Sequence, residues 1–433
     1  MKEKSINPEL FAWYLADEPE VVGMSASGLS GAAEIIRDED PYHPIILSND
    51  TVSGLKDFGS AAEINGLHPY PNPAKGKQRP GFGRIVVFMD EAAMLNAGNR
   101  RPQSIFYLQQ GFNYGDFGSL SSRIPTFDEI RTQFWMTTIM GGRGIMFYNR
   151  TTEHYPELAI GTPEIGREFA ALQDMLTADD QPGGLTKGKL RTVIKKVGTN
   201  LWILAVSTQE APFDYEFNIP ELGGRKLQVW REGRSITPVN GRFSDRFDNF
   251  DVHIYTTDPD THGLRTIAEV EQEIAARNTA RRKPGNLAFQ MFEHDRMTLR
   301  ASSNHWLQGR ADNTLWHVTD GVNLGDKSDA YGNQRTFFHD ATPNLLPDWI
   351  ELEFPEPVTV GRVVVYPVKH SLKDYEVQIW QNNDWKTVGR VKDAQGDFQE
   401  VKFGSEITAK IRVFITANRG TYTKIAEIEV YEQ

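Results

Sequence analysis

Two acids close the first apolar run of the chain, in FAWYLADEPE at residues 11–20. Asp17 and Glu18 stand where a strand would end, and Pro19 stops that strand at once. Hydrolysis of a glycosidic bond asks for such a pair. One protonated carboxyl assists the leaving oxygen, and a second acts as nucleophile at ~5–5.5 Å or as base for water at ~6.5–9.5 Å. Glu18 suits the proton donor, because a neighbouring charge on Asp17 favours its protonated form. The candidates for the second carboxylate are Asp17, Asp50 and Asp116, whereas Glu91 falls inside a helical run. The plainer alternative is that Asp17 and Glu18 cap the next helix or are simply solvated.

Other polar residues fall at equivalent points. The apolar runs 11–17, 44–49, 63–70, 104–112 and 144–150 read as strands. Each ends on groups that could bind or react: Asp17 and Glu18, Asn49 and Asp50, His68 and Tyr70, Gln109 and Gln110, Tyr148 and Asn149. Prolines 69 and 71 stiffen the backbone around His68 and Tyr70, which suits a pocket wall; Trp135 reads as core or wall. Between the strands lie helical segments with caps, among them SGAAEIIRDED, GRIVVFMDEAAMLNAG, TFDEIRTQFWMTTIMGG and TPEIGREFAALQDML. The last has Thr162 as expected cap and Pro163 at the first helical position. Strands alternating with helices imply a parallel α/β domain over 1–180, either an open doubly wound sheet or part of a (β/α)8 barrel. Polar groups at every strand end favour the barrel, whose active sites are built there.

DDQPGG at 179–184 reads as a loop. Short strands broken by Gly, Pro and Asn then predict a small antiparallel β-sandwich over 187–258. A polar helical linker over 263–284 carries a narrow stripe of Ile267, Val270 and Ile274. Residues 285–433 are β-rich again. The expected fold class is therefore multidomain, α/β plus all-β.

The 433 residues carry a net charge of −11, which disfavours nucleic acid and anionic membrane surfaces as partners. Nine Trp, 14 Tyr and 24 Phe supply aromatic rings of the kind that also serve carbohydrate binding. Cysteine is absent, so disulfides and thiolate sites are excluded. No run approaches the ~20 apolar residues of a membrane span. The N-terminal segment lacks the apolar core of a signal peptide, and an extracellular or periplasmic location is expected for the parent protein.

WYLADEPE resembles strand four of glycosidase (β/α)8 barrels of the clan in which Asn-Glu-Pro supplies the acid/base. EINGLHPYP, IFYLQQGF and GGRGIMFYNR resemble strands six, seven and eight, and the segment to Tyr255 is similar to the β-domain that follows such barrels. The resemblance implies a glycoside hydrolase acting on an oligo- or polysaccharide, with Glu18 as general acid and Asn49, His68, Tyr70, Gln109, Gln110 and Tyr148 around the substrate. Two positions depart from the pattern. Asp17 replaces the Asn, and Gln109-Gln110 stands where the nucleophilic Glu is expected. An amide cannot replace that carboxylate, so the alternatives are an inverting scheme or a non-catalytic glycan-binding or scaffold protein. The first three βα units are also unaccounted for. A truncated or split parent would explain this, as would a second chain or second copy completing the barrel.

GNLA, WHVTDG, PDWIELEFPEPVTVGRVVVYP and RGTYTKIAEIEVY make residues 285–433 similar to the discoidin-like (F5/8 type C) family. The resemblance implies a jelly-roll sandwich. It places a structural Ca²⁺ at Asp320 and Glu427, and sugar contacts at His370, Arg419 and Tyr422, with Tyr331 a further position.

Overall fold

The structure is a computed structural model. It describes residues 8–74, 76–97, 102–114, 122–149, 155–290, 297–304, 306–307, 310–311, 315–323 and 337–433. Asp116 and Tyr331 lie outside the described residues. The chain divides into two compact units, one of 1–111, 125–149 and 160–271, the other of 112–124, 150–159 and 272–433.

In the first unit, strands β1 (Trp13–Asp17), β2 (Ile45–Asn49), β3 (Ile64–Leu67), β4 (Ser104–Gly111) and β5 (Gly144–Asn149) form one parallel sheet. They lie side by side in chain order, without the reversal that defines a doubly wound sheet. Helices α1 (Ala26–Glu39), α2 (Val52–Phe58), α3 (Phe82–Ala97) and α4 (Phe127–Ile139) alternate with the strands. Local chemistry starts them. Ser25 and Thr51 accept the Gly28 and Gly54 N–H groups, and Thr126 closes a capping box with Glu129.

The strand register sorts side chains by face. Leu47, Leu67, Ile105 and Tyr107 point to one side and pack on Leu29, Phe58, Phe82, Ile85, Trp135 and Met136 of the helices. The other side carries Tyr14, Ser48, Phe106, Met146 and Tyr148, of which Tyr14, Met146 and Tyr148 are exposed.

Helix α5 (Pro156–Ala171) corrects one expectation. It begins seven residues before Pro163, which lies inside it, so Thr162 caps nothing. Pro156 takes the first helical position instead, where a missing N–H costs least. After the short α6 (Gln173–Thr177), the segment read as a loop is a strand, β6 (Asp180–Leu185). It is the sheet's edge, where a proline and a glycine bulge are tolerated.

Strands β7 (Leu190–Val197), β8 (Asn200–Ser207), β9 (Phe213–Asn218), β10 (Leu227–Val229), β11 (Arg234–Ile236), β12 (Arg242–Phe247) and β13 (Val252–Thr256) follow. They build a six-stranded antiparallel sheet, β11-β10-β13-β8-β7-β6, and a β12-β9 ribbon. One face of this sheet shares a core with the parallel layer: Trp202, Leu204, Val206 and Trp230 pack with Phe82, Tyr107 and Trp135. Its other face packs on the ribbon through Phe217, Phe243, Phe247 and Tyr255.

Helix α7 (Ile267–Arg281) buries Val270 and Ile274 of the expected stripe. In the second unit an antiparallel β-sandwich follows, built from β14 (Thr298–Ala301), β15 (Trp306–Leu307), β16 (Arg310–Ala311), β17 (Phe338–His339), β18 (Asp348–Pro367), β19 (Leu372–Gln381), β20 (Asp384–Val391), β21 (Gln399–Asn418) and β22 (Lys424–Tyr431). Ile350, Leu352, Val363, Val365, Val413, Ile415 and Ile428 alternate inward with period two and form its core. Among the described residues no helix is long and apolar enough to cross a membrane.

Candidate functional site

The C-terminal ends of β1, β2 and β3 bring Asp17, Glu18, Asp50 and His68 together. Glu18 follows β1 directly and has φ +45°, a left-handed conformation that costs a non-glycine residue about 1–2 kcal/mol. Its neighbours impose it. The Glu18 N–H donates to the Ser48 carbonyl at 3.0 Å, and the Glu18 carbonyl accepts from Val21 and Val22 at 2.9 and 3.2 Å. The turn lifts the side chain toward His68, whose Nδ1 is 3.5 Å from Glu18 Oε1 and 3.8 Å from Asp50 Oδ1.

Burial raises the pKa of Glu18, and the charges of Asp17, Asp50 and Glu20 raise it further. Burial likewise raises Asp50, against the pull of His68 and Arg84. His68 is held low by burial, although Asp50 and Asp17 oppose the shift. The electrostatic pattern thus favours the protonated form of Glu18 and the neutral form of His68. Asp17 is fixed from below, accepting from Tyr14 Oη at 2.9 Å and from the Ser48 hydroxyl.

Not every strand-end residue joins this cluster. Tyr70 does, with its ring 5.3 Å from that of His68, and Tyr148 lies 6.4 Å beyond Tyr70. Gln110 is on the same side of the sheet and accepts from the Asn72 N–H at 3.0 Å. Asn49 and Gln109 sit one position out of step, on the helix-covered side. Both are fully buried, and their amides have no hydrogen-bond partner among the described residues. They are therefore not placed to touch a substrate at Glu18.

Three residues here were not expected. Glu20 accepts from the Asp50 and Thr51 N–H groups at 2.8 and 2.9 Å, which fixes the β2–α2 turn that carries Asp50. Ser48 anchors Asp17, and Arg84 lies 3.9 Å from Asp50. Only the acidic run after β1 hinted at Glu20.

Ligand-type atoms of Asp17, Glu18 and His68 lie within 4.8 Å of one another. The set fits a metal poorly. A metal-bound imidazole normally gives its other ring nitrogen to a partner, and Nε2 of His68 has none among the described residues.

In the second unit, Asp320 and Glu427 are both buried. Gly321 joins them: its N–H donates to both Glu427 oxygens at 3.2 Å, at φ +76°. A Cβ there would lie 2.5 Å from the Arg281 carbonyl oxygen, so only glycine fits. Burial and the Asp320 charge push Glu427 well above the ordinary carboxylate range. His370 and Arg419 brace one loop. His370 Nδ1 is 2.7 Å from the Gly396 carbonyl, and Arg419 donates to Asp393 and Ala394 at 2.6 and 3.0 Å. Tyr422 packs its ring 4.5 Å from His339.

In the first unit a further titrating cluster surrounds His253. His253 places Nδ1 2.7 Å from Glu232 and Nε2 3.3 Å from Asp251. Burial opposes its charge, but hydrogen bonds to Asp251 and Glu232 lift its pKa to about 10. A raised histidine stabilises the fold fully below its unfolded value near 6.5 and loses that contribution as pH rises through about 10. The melting-temperature gap between wild type and His253→Gln should be widest below pH 6.5 and close by about pH 10. A gap constant from pH 6 to 10 would refute the assignment.

Residues 299–428 match the family model of the F5/8 type C domain. No curated protein matches the chain. Among solved structures, chitosan-binding module 1 of a Paenibacillus sp. IK-5 chitosanase/glucanase is similar at 20% identity and TM-score 0.26, over 34% of this chain and 98% of that one. A family 32 carbohydrate-binding module of Clostridium perfringens NanJ, in complex with galactose, is similar at 18% identity and TM-score 0.25, over 31% and 93%. A Streptococcus pneumoniae fucose-binding module is similar at 20% identity and TM-score 0.26, over 34% and 96%.

Proposed function

We propose that this is a carbohydrate-active protein in which the β1–β3 strand ends hydrolyse a glycosidic bond and the F5/8 type C module holds the glycan. One observation carries the catalytic reading: Glu18 and Asp50 face the same atom of His68, at 3.5 and 3.8 Å. Those two oxygens are therefore no more than ~7 Å apart, an upper bound that admits the carboxylate separations of glycosidases. Glu18, raised by burial and by like charges, is the proton donor. Asp50 activates water in an inverting displacement. Tyr70 and Tyr148 line the sugar site. The parallel strands in chain order, with helices against one face, support a (β/α)8-type arc for this layer.

In the module, Tyr422 offers a ring for stacking against a sugar. Arg419 spends one nitrogen on the 393–396 loop, which leaves further N–H donors for hydroxyl groups. A panel of glycosides and immobilised glycans presented to the full chain tests both halves. Release of reducing sugar is the expected result. Binding without any hydrolysis would select the second reading, a non-catalytic glycan-binding protein. That reading is favoured by Gln109 and Gln110, which leave β4 without a carboxylate at its end.

Asp320 and Glu427 also suit a structural Ca²⁺, since buried carboxylate oxygens match a hard cation. Calcium at about 100 times its dissociation constant should then stabilise the chain by about 2.7 kcal/mol, and chelator should reverse this. Glu427→Gln should abolish the shift. Melting curves unmoved by calcium would end the assignment.

A further inference from the structure

His68 stands between the two carboxylates of the proposed hydrolysis. It is 2% exposed, and among the described residues neither ring nitrogen has a hydrogen-bond partner. A buried imidazole is ordinarily fixed through its nitrogens. Here Nδ1 faces Glu18 and Asp50 at similar distances and is committed to neither. The Tyr70 ring, 5.3 Å away, packs beside it, and Arg84 lies 3.9 Å from Asp50 on the same side.

Inversion leaves such a pair in the wrong state. Glu18 gives its proton to the departing glycosidic oxygen, and Asp50 takes one from the attacking water. The products leave behind an ionised Glu18 and a protonated Asp50. One proton must pass from Asp50 to Glu18 before the next turnover.

We propose that His68 returns this proton. Nδ1 accepts it from Asp50, and the transient imidazolium passes it to Glu18, while Nε2 keeps its own hydrogen throughout. No charge is gained or lost and no co-reactant is needed. Burial disfavours the charged ring, which suits an acceptor. Both carboxylates are also 36% exposed, so solvent offers a slower parallel route. Loss of His68 therefore slows the reset without abolishing turnover. The inference rests on the hydrolase reading with Asp50 as base.

The test compares His68→Asn and His68→Gln with wild type on a glycoside that the panel shows to be cleaved. Steady-state kcat should fall about tenfold or more, and single-turnover rates with enzyme in excess should fall by a clearly smaller factor. KM should fall in step, because the lost step follows the chemistry. Added imidazole should restore kcat in the variants and leave wild type unchanged. Equal losses in single-turnover and steady-state rates would overturn the relay, and so would no loss in either. Should both variants fail to fold, wild type alone decides: a kcat that rises with added imidazole shows the reset running through solvent. Absence of any hydrolysis by wild type would instead refute the hydrolase reading.

Discussion

Glu18→Gln should lower kcat/KM on a natural glycoside by ~10²–10⁴, the range that general acid catalysis supplies. The side chain keeps its size and loses only the transferable proton. The deficit should depend on the leaving group. A nitrophenolate departs without protonation, so an aryl glycoside should lose far less than an alkyl glycoside. The wild-type rate should fall with rising pH as the elevated Glu18 carboxyl ionises, and the variant should lack that limb. Equal losses on both substrates would mean that Glu18 binds sugar without donating a proton.

The second large effect concerns stability. Glu168 is fully buried and accepts from Arg131 at 2.8 Å and Arg231 at 2.9 Å, and from the Trp135 and Trp230 indoles at 3.1 Å each. Burial alone would raise its pKa, but the two guanidinium groups outweigh this and hold the carboxyl below its ordinary value. The residue ties the parallel layer to the antiparallel sheet, since Trp135 is on α4 and Trp230 follows β10. Glu168→Ala leaves the buried Arg131 without its paired carboxylate, at about 3–5 kcal/mol, while Arg231 keeps Glu164 at 2.9 Å. Urea unfolding should show the loss. The exposed pair Lys196–Glu221 is the control, and Lys196→Ala should leave the midpoint nearly unchanged.

The sequence showed much of this arrangement because its chemistry is local. An apolar run that ends in Asp17, Glu18 and Pro19 marks a strand end whatever surrounds it. His68 and Asp50 were legible for the same reason. Face was harder to read. Asn49 and Asp50 are adjacent, as are Gln109 and Gln110, but one of each pair turns to the helices because side chains alternate along a strand. That alternation was countable. Which face would be covered was not.

Helix α2 was missed because seven residues, VSGLKDF, are too few for an apolar period. β6 was misread because proline and glycine mark turns everywhere except at a sheet edge. Glu20 was invisible as a support for Asp50, since its partners lie 30 and 31 residues away.

The left-handed backbone at Glu18 has a further consequence. Asparagine and glycine occupy that region more easily than glutamate, so replacing Glu18 with either relieves strain while removing the proposed proton donor. Natural drift or laboratory selection for heat tolerance alone would be drawn toward that substitution. Persistence of glutamate at this turn in sister lineages would then reflect selection on turnover, because folding by itself favours its loss.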